Sequence, residues 1–379
     1  MHVLHWGTYD TSKPRTRILH EGLRAVGVTL RECHAPVWEG IEDKSQVSGR
    51  LRRFRLLLRW LTCYPALAWR FLRAPRPDVV LVGFPGILDV IVVAPLARLR
   101  GVPVAWDMFM SVYDTLVQDR RMVHSASLRA RLLHGLESLA IRRADVVFLD
   151  TEAHARRIES LYGLSARQCG AVWVGVEVEH FRLPESAAPR ARAPGNPLKV
   201  LFYGQFIPLH GIDTIVAAAR LMSDDNVEWT LIGRGQESDS VRRLLAETPL
   251  PKLRWIEWVA YADLKHWIAG ADVCLGIFGT SDKAASVIPN KVFQIIAAGR
   301  PLITRDSPAI REILEPDPPC VHLVRAGDAH ALANSVRDHA RRVASVGPGR
   351  CHATLAERIA APAIGRQFME SVAPRLGER

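Results

Sequence analysis

The chain alternates, twice over, between short apolar runs ending in glycine or polar turns and longer segments with helical periodicity. In the first series, runs at 2–7, 28–33, 78–82, 102–106, 144–149 and 171–176 alternate with helix-like stretches such as 16–26, 87–99 and 128–143. Short continuous apolar strands separated by helices pair in parallel, because the chain must cross back over the sheet before the next strand. A segment rich in proline, alanine and glycine, 184–197, interrupts the pattern, and a second series begins at Leu198. The expectation is an α/β chain of two domains. These are 1–183, a linker at 184–197, a second domain at 198–351, and a helical segment at 352–379.

Composition narrows the options. At 379 residues, 48% of them hydrophobic, the chain can fill two cores. Its six cysteines lie far apart with no C-x-x-C pair, so reduced thiols in a cytosolic compartment are expected. The first residues read as a strand and not as a signal peptide, and no uncharged apolar run reaches the roughly 18 residues of a membrane span. The formal charge of +11 is concentrated: eight arginines and no acid fall between Arg50 and Arg76, among Leu, Phe and Trp. Phe54, Leu57, Leu58 and Leu61 recur at helical spacing, and Pro65 splits the stretch into two helices. Arg52, Arg53, Arg55, Arg59 and Trp60 then suit an anionic membrane surface. The plainer alternative is a core-facing helix with solvated arginines.

The richest stretch is 278–304. Gly279 to Ser286 reads as a small, polar loop leading into Pro289-Asn290-Lys291, where a helix begins. Val292, Ile295 and Ile296 give that helix a buried face, Gly299 suits its C-terminal cap, and a buried strand follows at 301–304. Free N–H groups and the dipole at a helix N-terminus attract anions, and Lys283 and Lys291 add charge beside it.

This stretch resembles the donor-site motif of retaining GT-B glycosyltransferases of glycosyltransferase family 4. The resemblance implies two Rossmann-like domains facing each other across a cleft, with a nucleotide-sugar held by the second. That family places two acids eight positions apart; the matching positions are Ser286 and Gln294. Gln294 can still hydrogen-bond a ribose as donor and acceptor. Ser286, Val287 and Ile288 would lie at the donor sugar, and Pro289, Asn290, Lys291, Val292 and Lys283 at the nucleotide and its phosphates. Gly204, Gln205, His210 and Gly211 match the family's strand–glycine–loop–glycine–helix. Gln205 and His210 stand where relatives often carry Arg and Lys. Gly233 and Gly235 match its second glycine turn. The likeness covers the C-terminal half by order of motifs and the N-terminal half by architecture.

In that N-terminal half, the resemblance puts Gly7, Thr8 and Arg15 on a loop facing donor phosphates and acceptor. Asp107 ends a strand where relatives carry a catalytic or acceptor-positioning motif; Asp114 is a second candidate. A carboxylate there can position an acceptor or act as a base, and equally can cap the next helix. The implied activity is metal-independent glycosyl transfer with retention, to a saccharide or lipid-linked saccharide, in polysaccharide biosynthesis. The nucleotide-sugar is a substrate, and no cofactor or metal is expected. From the cysteine usage and the basic stretch, the expected setting is cytoplasmic, peripheral at the inner face of the membrane. A catalytically silent nucleotide-binding protein or a GT-B nucleotide-sugar epimerase remain open. A nucleic-acid partner is not expected, since no such motif is present and the basic cluster is local.

Overall fold

The structure, a computed structural model, describes residues 1–38, 50–188, 193, 195–345 and 349–376. It divides into two compact units, Met1–Gly175 with Ala360–Arg379, and Val176–Ile359.

The first unit holds six parallel strands: β1 (His2–Gly7), β2 (Thr29–His34), β3 (Val79–Val82), β4 (Val104–Phe109), β5 (Val146–Leu149) and β6 (Cys169–Ala171). Their order is β2-β1-β3-β4-β5-β6. β3 and β5 are buried along their whole length because helices cover both faces of the sheet. On one face, helices Tyr64–Arg73, Ile87–Leu99, Leu128–Arg143 and Glu152–Tyr162 close over Trp6, Val80, Trp106 and Leu149. On the other, Pro14–Ala25 and Ala361–Leu376 cover Val3, Leu81 and Phe148. Those two helices meet at glycines. A β-carbon on Gly22 would sit 2.2 Å from the Ala361 carbonyl oxygen, and one on Gly365 would sit 2.1 Å from that of Gly22.

The second unit repeats the plan with β7 (Leu198–Tyr203), β8 (Val227–Ile232), β9 (Leu253–Ile256), β10 (Val273–Leu275), β11 (Leu302–Arg305) and β12 (Val321–Val324). The order is β12-β11-β10-β7-β8-β9. After β7 the chain moves one way across the sheet, and from β10 it moves the other. A reversal of this kind opens a crevice beyond the strands' C-terminal ends, where open α/β sheets bind ligands.

Several boundaries differ from the sequence reading. The strand expected at 171–176 is only Cys169–Ala171. β4 runs two residues beyond Asp107, to Phe109. The stretch expected as a loop, 279–286, contains the short helix Asp282–Ser286, because the Ser281 hydroxyl caps it by accepting from the Ala284 N–H. The expectation of reduced thiols is corrected: Cys320 and Cys351 form a disulfide, with Cα atoms 5.4 Å apart. A separation of 31 residues hid the pair from a reading of local cysteine spacing.

Candidate functional site

The two strands at the reversal in the second unit, β7 and β10, deliver two loops that touch. Phe278 N–H donates to the His210 carbonyl at 3.0 Å, and Gly279 N–H to that of Leu209 at 3.3 Å. At the end of β7, Gly204 has φ +142° and faces Gly233, at the end of β8, with φ +144°. A β-carbon on Gly233 would lie 1.8 Å from the Gly204 carbonyl oxygen, so only glycine admits this approach.

The helix Asn290–Ala298 begins beside that turn, with Pro289 as its N-cap residue and Val292 wholly buried. Its second residue is Lys291. The ammonium lies 3.7 Å from the centre of the Phe202 ring. A β-carbon on Gly204 would come within 2.9 Å of Lys291 Nζ and 3.1 Å of His210 Cε1. Gly204, His210 and Lys291, expected at the donor phosphates, are therefore brought together. Lys291 Nζ is buried without a hydrogen-bond partner. Burial alone pushes its pKa well below the ordinary lysine value. A buried cation-forming group with no counter-charge, at a helix N-terminus, is a site that an anion completes.

The surrounding residues are less exposed than their sequence suggested. Lys283, Ser286 and Gln294 are buried. The Ser286 hydroxyl donates to the Asp282 carbonyl at 2.7 Å. Val287 packs with Ile207, Leu209 and Ala284, and Ile288 is also buried. Gln205 is exposed, and its carbonyl pairs with His210 Nδ1. Gly235 N–H donates to Ser238 Oγ at 2.8 Å.

In the first unit, Arg15 and Asp107 form one buried pair. Arg15 Nε and Nη2 donate to the two carboxylate oxygens at 2.9 and 2.8 Å, and Nη1 donates to the carbonyls of Val172 and Trp173. Burial raises the Asp107 pKa, and the Arg15 fork works against that rise. Asp114 is also buried, with Arg157 Nη2 at 2.7 Å. Gly7 and Thr8 are pinned by Asp89, which accepts from Thr8 N–H at 2.9 Å and from Tyr64 Oη at 2.7 Å. Glu137 organises the chain after β4, accepting from Ser111, Val112, Tyr113 and Tyr162. The sequence reading missed both acids. Their signal was a single carboxylate in an otherwise apolar or basic helix. Among the described residues, no group of three or more His, Cys, Asp or Glu side chains is placed to hold a metal ion.

Comparison with known proteins agrees with this architecture. The chain is 28% identical over 249 residues to the probable glycosyltransferase WbjE of Pseudomonas aeruginosa, a match covering 61% of this chain and 58% of that one. It is 24% identical over 196 residues to the putative teichuronic acid biosynthesis glycosyltransferase TuaH of Bacillus subtilis (strain 168), covering 50% and 48%. The matches thus span about half the length of these relatives. The crystal structure of Anabaena HepE in complex with UDP superposes with a TM-score of 0.65 at 13% identity, over 99% of this chain and all of that one, and shares the GT-B fold. Residues 8–172 match the glycosyl transferase 4-like domain and residues 197–341 the family of glycosyl transferases group 1, so the chain carries both domains of a glycosyltransferase.

Proposed function

We propose that the protein is a retaining, metal-independent glycosyltransferase of glycosyltransferase family 4. It moves a sugar from a nucleotide-sugar to a saccharide or lipid-linked saccharide, in the making of a polysaccharide. The second unit binds the donor and the first the acceptor. The observation that carries this is Lys291: a buried, unpaired amine at a helix N-terminus, against Gly204 and His210. The bond between the anomeric carbon and the diphosphate breaks as the acceptor oxygen bonds that carbon and passes its proton to the departing diphosphate oxygen. Negative charge builds on the leaving diphosphate. A lysine and aligned N–H groups already fixed in place stabilise it without reorganisation. They supply the positive charge for which other enzymes recruit a metal ion. UDP bound to HepE and the polysaccharide role in the name of TuaH favour the same substrate classes.

The test is thermal unfolding with UDP, GDP, ADP and their sugars, with and without a chelator. A nucleotide at about 100 times its Kd raises stability by about 2.7 kcal/mol. The expected result is a shift with one nucleotide, unaffected by the chelator and absent in Lys291→Ala. No shift with any of them removes the donor reading.

A second reading, a silent nucleotide binder, is favoured by Ser286, whose hydroxyl is turned to its own helix backbone. Product analysis separates the two. Release of nucleotide with glycosylated acceptor supports the enzyme, and binding without turnover supports the silent protein.

A further inference from the structure

We propose that the outer face of one helical layer of the first unit docks on an anionic lipid bilayer, through two separate helices. This surface stands apart from the donor reading and does not depend on it.

An amphipathic helix normally turns its apolar stripe to the core. Arg50–Thr62 does the reverse. Leu56 and Trp60 are only partly exposed, with Trp60 against Trp38, while the Phe54, Leu57, Leu58 and Leu61 stripe faces outward. Phe54 is 62% exposed. Arg55 and Arg59 flank the stripe and are also exposed; the side chains of Arg52 and Arg53 lie outside the described residues. On the next helix Tyr64, Leu67 and Phe71 face the core, leaving Trp69 56% exposed with the Arg73 guanidinium 3.9 Å above its ring.

The same device recurs elsewhere in the layer. In Leu128–Arg143, Leu128 (80% exposed), Leu132 (65% exposed), Gly135 and Leu139 fall at i, i+4, i+7 and i+11, forming one stripe. Arg129 and Arg131 flank it. This helix packs on Ile87–Leu99, which packs on Tyr64–Arg73, so all three belong to one layer over one face of the sheet. The four helices of this region contain two acids, Asp89 and Glu137. Both are buried and bonded inward. Among the described residues of these four helices, the exposed charged side chains are therefore all arginines, set among apolar groups.

That combination fits one occupant. Leucine and phenylalanine stripes enter the acyl boundary, and flanking arginines reach the headgroups. A second copy of the chain would set arginine against arginine, and a nucleic acid would leave the leucines in water. No helix among the described residues is long and apolar enough to cross a membrane, so the helices would lie in the interface.

The test is co-sedimentation of the full chain with vesicles of phosphatidylcholine containing roughly one-third phosphatidylglycerol, against phosphatidylcholine alone. Each basic group near an anionic surface contributes about a fivefold factor. Arg129→Glu/Arg131→Glu should therefore lower binding to the anionic vesicles by about 25-fold or more. Phe54→Ser/Leu58→Ser should lower it comparably. All four positions are exposed, so the melting temperature should hold. A measurement that needs no such variant is quenching of tryptophan emission by brominated lipid, expected in the wild type and reduced in Trp69→Tyr. Wild-type binding by the Arg129/Arg131 variant overturns the two-helix surface. Equal binding to neutral vesicles, or a dimer that these substitutions dissociate, overturns the anionic bilayer as occupant.

Discussion

Arg15 and Lys291 are both buried basic side chains near the C-terminal ends of parallel strands, yet they stand in opposite states. Arg15 is saturated: four hydrogen bonds tie it to the Asp107 carboxylate and two carbonyls. Lys291 has no hydrogen-bond partner and rests on an aromatic face. Under the proposed function, the difference separates a pair that holds the fold from a group that takes a ligand. A satisfied buried pair fixes where strands and loops sit, and removing one partner exposes the other's unpaired charge. An orphaned one is a standing cost to the fold that a ligand relieves.

Stability should separate the two residues most visibly. Arg15→Met should destabilise the protein by about 3–5 kcal/mol in denaturant unfolding, because Asp107 is left buried without its partner. The double variant Arg15→Met/Asp107→Leu should recover most of that loss. A single Arg15→Met of wild-type stability would show that the pair is not structural. Lys291 should behave in the opposite sense. Lys291→Met removes an unsatisfied buried amine, so the ligand-free protein should gain about 1–3 kcal/mol while losing its nucleotide response. A loss of stability in the ligand-free variant would mean that Lys291 is paired after all.

Much of the second unit was legible in the sequence because its signals are local. Glycines at strand ends, Pro289 before a helix and Gly299 after it are readable within ten residues, and they located Lys291. The first unit's site was not legible, because its pairs are distant. Arg15 and Asp107 stand 92 positions apart. Read singly, each was a candidate for the acceptor side of the cleft, and neither announced the other as its partner. Asp89 and Glu137 were overlooked because an acid in a helix is ordinarily on its wet side, and here each is buried and surrounded by donors. The leucines of Leu128–Arg143 failed in the converse way: helical spacing cannot say which side of a helix meets the core. The basic stretch at 50–76 was recognised because charge asymmetry is visible without any fold.

If Lys291 waits for an anion, nucleotide binding should carry a proton. Burial holds the free amine's pKa low, and a diphosphate beside it raises that value again. Binding should therefore take up a proton at every pH between the two values, and affinity should weaken as pH rises through that window. The direct measurement is titration calorimetry of whichever nucleotide shifts thermal unfolding, in two buffers of different ionisation enthalpy, from about pH 7 to about pH 10. The account predicts proton uptake in the wild type that Lys291→Arg, charged throughout, no longer shows. Tight binding with no proton exchange and no pH dependence over that range would contradict it.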